Sequence, residues 1–362
     1  MKVKDKIAII GTNGLPAKYG GFETLANYLT LYLKEDYDFV VYCSKTPKED
    51  QLKTFNSAKL IYFPFKANGW QSVISDIITI IHAWFTVDKL LVLGNSGALI
   101  FPFKYIFGKK LILNIGGLDW RRGKWNYIVK KYIKLSEIIC VKYSDVVITD
   151  NKHIQYLYKK YYNTESEMIE YGGDHVLKLE KTKEAVIKYP FLNKKYILSI
   201  SRAQSDNNIH MLLKAFENLP EYNLVLISNW NNSDYGKELY ERYKNKFENI
   251  LIVDAIYDQK KLDIIRTNAS LYIHSHSFCG TAPSLVEAMN LELPIICYNA
   301  KTNLETTENK SYYFENEHEL VALINKLTYH KLNRLKEDMY SIAKRRYQWA
   351  LIAQKYKNCI EN

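Results

Sequence analysis

Apolar positions along this 362-residue chain fall into short continuous runs separated by longer stretches of helical spacing. In the first half the runs lie at 6–10, 39–43, 60–63, 90–93, 110–114, 146–149 and 168–171. In the second half they lie at 196–200, 223–228, 250–253, 271–274 and 294–298. Strand-like runs alternating with helical patterns predict parallel, doubly wound sheets, and the alternation occurs twice. The chain therefore reads as two α/β domains, 1–175 and 176–340, followed by a helical segment, 341–362. The boundary is expected within 173–189, where Lys178-Leu179-Glu180-Lys181-Thr182-Lys183-Glu184 is charged and unpatterned. A last helix is expected over 332–360. No short-period repeat or low-complexity tract interrupts this pattern.

Composition narrows the partners more than the fold. Fifty Lys and Arg against 39 Asp and Glu give a net charge of +11, which favours an anionic partner. The five cysteines are scattered without a CxxC pair, as expected of reduced thiols in a cytoplasmic protein. The first residues run straight into a strand pattern, so no signal peptide is expected. The most apolar stretch, 73–85, is interrupted by Asp76 and His82 and is too short to span a bilayer. Asp36-Tyr37-Asp38 has the form of a metal-binding DxD triplet but reads as a solvated turn. No group of His, Cys and carboxylates has metal-ligand spacing, so no metal and no cofactor is expected.

The chemistry concentrates after two strands. The first strand ends in Gly11-Thr12-Asn13-Gly14-Leu15-Pro16, followed by Gly20-Gly21-Phe22-Glu23-Thr24-Leu25 at the start of an amphipathic helix. Glycines at the carboxyl end of a first parallel strand let backbone approach a ligand closely. The spacing is not the GxGxxG of a dinucleotide site. In the second half, 271–274 leads into His274-Ser275-His276-Ser277-Phe278-Cys279-Gly280-Thr281-Ala282-Pro283-Ser284-Leu285-Val286-Glu287-Ala288-Met289. A strand, a loop of small residues and a helix N-terminus form an anion site. Gly280, Thr281, Ala282 and Ser284 would present that site. Glu287, alone on an apolar helical segment, suits the hydroxyls of a sugar. Phosphate at the loop and ribose at the carboxylate suggest a nucleotide sugar. His274 and His276 either face the diphosphate or are satisfied structural side chains.

These two segments resemble glycosyltransferase family 4, retaining enzymes of GT-B fold. The run from Gly11 to Thr24 is most similar to the rhamnosyltransferase-like subgroup of bacterial capsule and exopolysaccharide enzymes. The resemblance implies two Rossmann-like domains facing a cleft, with the C-terminal helix crossing back to the N-terminal domain. It also implies a nucleotide-sugar donor and no metal. The family's paired glutamates are only half kept, since the first falls on Cys279 and the second on Glu287. Arg202, after the first strand of the second half, takes the place of the arginine that holds the donor diphosphate; alternatively it is a surface salt bridge. The usual lysine five residues later is Asn207. Gly14, Gly20 and Gly21 would let the N-terminal loop close over the phosphates. Donor-binding residues are thus expected at Gly14, Gly20, Gly21, Arg202, His276, Gly280, Thr281, Ala282, Ser284 and Glu287.

Asn114-Ile115-Gly116-Gly117-Leu118-Asp119-Trp120-Arg121-Arg122 resembles an acceptor-side segment of the same subgroup, whose aspartate is replaced here by Gly116. Asp119 keeps the other acid, as a catalytic group beside Arg202 and Glu287 or as a helix cap. The glycines of Tyr171-Gly172-Gly173-Asp174 read as hinge or turn residues. From Arg121 to Lys134 the chain carries six basic residues, no acid, and interleaved aromatic and aliphatic positions. Trp120, Arg121, Arg122, Lys124, Trp125, Lys130 and Lys131 are expected to meet a lipid-linked acceptor and an anionic membrane, unless the segment is an ordinary solvated helix. No nucleic-acid motif accompanies it.

Together these readings imply a retaining hexosyltransferase, peripheral at the inner face of the cell membrane. It would move L-rhamnose from dTDP-rhamnose to a lipid-linked saccharide in surface-polysaccharide assembly. A UDP-hexose is the alternative donor, and a non-catalytic binding subunit of the same fold is the alternative role.

Overall fold

The computed structural model describes residues 3–17, 20–66, 69–122 and 125–362. It divides into two units: residues 1–171 with Trp349–Asn362, and Gly172–Gln348. The first boundary falls before the charged 178–184 stretch, not within it. That stretch belongs to the second unit, where the Leu177 N–H donates to Asp263 and the Lys181 ammonium to the Leu192 carbonyl. The second boundary falls at 348/349 rather than 340/341.

The first unit runs β1 (Lys6–Ile10), α1 (Gly21–Tyr32), β2 (Asp38–Cys43), β3 (Thr54–Phe55), β4 (Ala58–Tyr62), α2 (Trp70–Thr86) and β5 (Lys89–Leu93). It continues with α3 (Lys104–Phe107), β6 (Lys110–Asn114), α4 (Tyr127–Tyr143), β7 (Val146–Thr149), α5 (Lys152–Tyr162) and β8 (Glu167–Met168). The sheet order is β3-β4-β2-β1-β5-β6-β7-β8, parallel except for the β3–β4 hairpin. β1, with Ile7 to Ile10 buried, sits centrally, as expected of a strand covered on both faces. The strand expected over 168–171 is only Glu167–Met168, because beyond it Ile169 makes a single backbone bond to Thr149 before the chain leaves the sheet edge.

The second unit runs α6 (Lys183–Lys188), β9 (Tyr196–Ile200), α7 (Ile209–Phe216), β10 (Asn223–Ser228), α8 (Asp234–Tyr243), β11 (Ile250–Asp254) and α9 (Gln259–Thr267). Then follow β12 (Leu271–His274), α10 (Pro283–Asn290), β13 (Ile295–Tyr298), α11 (Lys301–Thr306), β14 (Tyr312–Phe314), α12 (Glu317–Asn325) and α13 (Tyr329–Arg346). Its all-parallel sheet has the order β11-β10-β9-β12-β13-β14. β9 and β12 are full neighbours, although about seventy residues separate them in sequence.

The helix expected over 332–360 is two helices, α13 and α14 (Trp349–Glu361), broken at Tyr347 and Gln348. Tyr347 is fully buried, and its hydroxyl donates to the Thr306 carbonyl at 2.7 Å. Anchoring that ring in the second unit turns the backbone out of the helix. α14 then packs in the first unit, where Trp349 stacks on Tyr28 at 4.6 Å and Lys355 pairs with Glu170. Lys357 pairs with Asp36, so the DxD triplet is partly an anchoring point for α14 rather than a free turn.

Candidate active site

In each unit the strand order reverses once, between β1 and β5 in the first and between β9 and β12 in the second. Open α/β sheets bind ligands at the carboxyl ends of the strands at such a reversal. The donor-binding residues expected from sequence lie at these two places, whereas Asp119, Trp120, Arg121 and Arg122 follow β6 and Lys130 and Lys131 lie on α4.

In the second unit the loops after β9 and β12 are stitched together. Asn207 Nδ2 donates to the Arg202 carbonyl at 2.8 Å, and the Asn207 carbonyl accepts from Ser275 Oγ at 2.6 Å. Asn208 Nδ2 donates to the Ser275 carbonyl at 2.9 Å, and the Ser277 N–H and hydroxyl both donate to the Asp206 carbonyl. Asn207, standing where the family has a lysine, therefore shapes the Arg202 loop instead of presenting a charge. Arg202 itself is exposed and enters no ion pair among the described residues.

The loop after β12 ends at α10, which has Ala282 as N-cap, with no side-chain cap bond, and Pro283 in its first turn. Pro283 has no N–H to satisfy, and its fixed φ suits the first helical position. The positive end of α10 thus lacks a capping side chain at its N-cap, and Gly280, Thr281 and Ser284 lie next to it.

Glu287 is buried one turn into α10. Its Oε2 accepts from Arg266 of α9, and its Oε1 lies 3.2 Å from His175 Nε2. Arg266 also contacts Asp263 at 3.2 Å, and Asp263 accepts from the Leu177 N–H and Gln259 Nε2. Burial alone would raise the Glu287 carboxyl, but Arg266 and His175 outweigh it and hold the pKa below the ordinary value. The carboxylate is therefore ionised and fixed, and each oxygen keeps a lone pair for a further donor. Gly173 makes this possible. A Cβ there would lie 2.5 Å from the Val286 carbonyl, so only glycine lets the segment carrying His175 lie against α10. Gly173 is thus held by close packing against α10.

His274 is buried with neither ring nitrogen hydrogen-bonded, and burial lowers its pKa to about 3, so the ring is neutral. It is not the satisfied structural histidine that was one alternative. His276 and Cys279 lie with it in a group whose ligand atoms fall within 4.8 Å of one another. This group corrects the expectation that no such cluster exists. Alternate positions at the strand end and a tight loop bring together residues whose spacing resembles no common metal motif. Cys279 Sγ donates to Asn303 Oδ1 at 3.9 Å, and Asn303 Nδ2 donates to the His276 carbonyl at 2.9 Å, which ties this loop to α11.

In the first unit, the loop after β1 is held by Glu23, which accepts from both the N–H and the side-chain amide of Asn13. Gly14 is buried at φ +113°, and a Cβ there would meet Cys43 Sγ at 2.5 Å. Close packing on β2 accounts for this glycine. Gly20 also has a positive φ and precedes Gly21, the first residue of α1. A Cβ at Gly116, where the subgroup has an aspartate, would meet the Phe22 ring at 3.2 Å. Aromatic surface thus replaces a carboxylate there.

Asp119 does not cap a helix: it lies inside a short 3₁₀ turn and pairs with Arg122 at 3.0 Å. Trp120 donates to the Tyr162 hydroxyl at 3.2 Å and lies under Lys134. Arg121 and Lys131 are exposed, Lys130 and Trp125 are half-buried, and Lys124 lies outside the described residues.

Sequence reasoning missed two carboxyls in this unit. Asp76, on the inner side of α2 near Thr12 and Cys43, is pushed up to about 7 by burial. Glu137, on the inner side of α4, is also pushed up to about 7 by burial, and it accepts from the Tyr158 hydroxyl. The available signal was a lone acid inside an apolar helical pattern.

Residues 4–174 match the family described as Domain of unknown function (DUF1972), and residues 181–346 match Glycosyl transferases group 1. No curated protein matches the chain by sequence. The chain superposes on sucrose-phosphate synthase from Thermosynechococcus elongatus with a TM-score of 0.83 and 14% identity, covering 99% of this chain and 98% of that one. It superposes on Anabaena HepE, solved in complex with UDP-glucose, with a TM-score of 0.78 and 14% identity over 99% of both chains. A glycosyltransferase from Rickettsia africae gives 0.71 and 15% identity, covering 98% of this chain and 97% of that one.

Proposed function

For a glycosyltransferase of GT-B fold carrying a Glycosyl transferases group 1 domain, we propose the transfer of L-rhamnose from dTDP-rhamnose to a lipid-linked saccharide, with retention of configuration. The observation that carries the donor site is the stitched pair of loops after β9 and β12. It offers an exposed guanidinium, a helix N-terminus whose N-cap is an alanine, and a fixed buried carboxylate within one loop system.

Arg202 and the start of α10 stabilise the departing diphosphate by fixed electrostatics, which costs no reorganisation at the moment of reaction. Glu287 accepts the ribose hydroxyls on the lone pairs left free by Arg266 and His175. The neutral His274 ring, with His276, lines the sugar side of the loop. No metal takes part in this reading. The acceptor is held in the first unit between the glycine loop after β1 and the 114–122 segment. The basic residues of 121–134 lie against the membrane that carries it. The chain would act in surface-polysaccharide assembly at the inner face of the cell membrane.

A UDP-hexose is the second donor to consider, since the solved HepE structure holds UDP-glucose. A thermal-shift panel of dTDP, UDP, GDP and ADP, each with common sugars and without metal, tests the reading. A ligand that binds only the native state raises the melting temperature. A selective shift with dTDP-rhamnose is expected. A selective shift with a UDP-sugar reassigns the donor, and no shift with any nucleotide overturns the donor site.

A further inference from the structure

In the first unit, α2 carries apolar side chains on both its inner and its outer side. Its buried positions are Ser75, Asp76, Thr79, Ile80, Ala83 and Trp84, while Trp70, Ile74, Ile78, Ile81 and Phe85 are exposed. The spacing of four, four, three and four residues puts those five on one stripe of the helix. Trp70 and Phe85, at its ends, are 71% and 73% exposed, and Ile74, Ile78 and Ile81 between them are 36%, 37% and 38% exposed, so the stripe is open at its ends and half-buried along its middle. At about 1.5 Å per residue, such a stripe is roughly 25 Å long.

α4 repeats the arrangement. Its acid, Glu137, is fully buried, whereas Ile128, Tyr132 and Leu135 are exposed, as are Lys131 and Lys134. Between the two helices in sequence, Leu99, Tyr105 and Ile106 are also exposed.

These elements share one side of the sheet. The connections β4-α2-β5, β5-α3-β6 and β6-α4-β7 all step in the same direction across it, and right-handed crossovers then place α2, α3 and α4 on one face. Aromatic contacts join them. Phe107 stacks on Trp84 at 4.5 Å and meets Phe85 edge-on at 5.1 Å, and Tyr105 meets Tyr143 of α4 at 6.1 Å. Scattered exposed apolar side chains are ordinary, but a continuous apolar face marks an interaction site.

Charge selects the occupant. The acids of α2, α3 and α4 are Asp76 and Glu137, and both are buried. The face is therefore apolar and basic with no exposed acid of its own helices. A second copy related by a two-fold axis would set the same lysines against each other without a counter-charge. A bilayer with anionic headgroups complements both properties. Lysines near such a surface contribute about 1 kcal/mol each, Trp and Tyr suit the headgroup region, and apolar stripes enter the acyl boundary. No helix among the described residues is long and apolar enough to cross a membrane, so the contact is one of a face lying on the bilayer.

We propose that the outer face formed by α2, the 98–107 segment and α4 is a docking surface for an anionic lipid bilayer. It extends the 121–134 contact into a two-helix platform with α2 as its main apolar element, and it rests on the lipid-linked-acceptor reading for its purpose.

The test is co-sedimentation of the full chain with vesicles of phosphatidylcholine, with and without phosphatidylglycerol. Binding to the anionic vesicles, weakened by salt, is expected. Trp70→Ser with Phe85→Ser, the two most exposed positions of α2, is expected to reduce partitioning at least tenfold without lowering the melting temperature. Phe85→Ser serves as a second, milder variant. Lys131→Glu with Lys134→Glu is expected to remove the preference for phosphatidylglycerol. Sedimentation that is absent, indifferent to the anionic lipid, or unchanged by the α2 variants overturns the proposal. So does a concentration-dependent dimer that the same variants dissociate. Nucleotide thermal shifts in the same preparations report on the donor site separately, so either reading can fail alone.

Discussion

Arg266 grips the carboxylate of Glu287 across the gap between α9 and α10, and both side chains are almost fully removed from water. Breaking a buried pair by deleting one partner leaves an uncompensated charge and costs about 3–5 kcal/mol, whereas replacing both with apolar groups is often neutral. Arg266→Ala is therefore expected to destabilise the protein by about that amount in urea unfolding. Arg266→Met with Glu287→Leu is expected to recover only part of the stability, because the buried Asp263 also loses its contact with Arg266. The double variant should still lack nucleotide affinity in titration calorimetry. Recovery of affinity with stability would assign Glu287 a structural role alone.

Arg202 offers the opposite case. It is exposed and unpaired by any acid, so Arg202→Ala is expected to change stability by no more than about 0.5 kcal/mol. A hydrogen bond from a charged donor is worth about 1.5–3 kcal/mol, so affinity for a nucleoside diphosphate should fall roughly ten- to hundredfold. Affinity for the bare nucleoside should not change. An equal loss for both ligands would show that the guanidinium does not read the diphosphate.

Gly173→Ala is expected to act at a distance from any ligand. The new methyl group would meet the Val286 carbonyl and Asn290, both on α10, so the segment carrying His175 has to shift. Overpacking of this kind costs about 1–3 kcal/mol. Nucleotide affinity should fall in parallel, because His175 then loses its hold on Glu287.

Stability should depend on pH through Asp76 and Glu137. Both have folded pKa values raised to about 7 by burial, above their ordinary values of 3.8 and 4.5. Between the ordinary and the raised values the folded state binds more protons than the unfolded one, so stability falls as pH rises through that window. Glu137→Gln is expected to flatten the fall and to gain of order 1–3 kcal/mol at pH 8 relative to the parent chain. His274 acts with the other sign. Its folded pKa is lowered to about 3 from 6.5, so its contribution is present above pH 6.5 and is lost as pH falls toward 3. Urea unfolding from pH 4 to 8 checks both directions.

The strands were legible because buried parallel strands are short apolar runs, and 110–114, 146–149, 196–200, 223–228 and 271–274 coincide with the observed elements. The break at Tyr347 was not legible, because helical spacing continues through it and only the pocket around Thr306 stops the helix. Glu287 stood out as a lone acid in an apolar segment. Its partner Arg266 did not, since a contact across 21 residues leaves no local pattern. Asp76 was read as an interruption of an apolar stretch, and nothing in the spacing showed that α2 buries this acid while leaving a second apolar stripe outside.

The return of α14 to the first unit has a consequence for how the chain assembles. The second unit begins and ends side by side, where the Gly173 N–H donates to the Tyr347 carbonyl at 2.9 Å. All of Gly172–Gln348 is therefore available before α14 is synthesised. The first unit is made earlier but finished later. Its core lacks Trp349, Ile352 and Tyr356 until the ribosome has passed them, and Asn114 lacks the Tyr356 hydroxyl that accepts from it. The order of completion is thus the reverse of the order of synthesis, and a chain halted before α14 holds a closed second unit and an open first one.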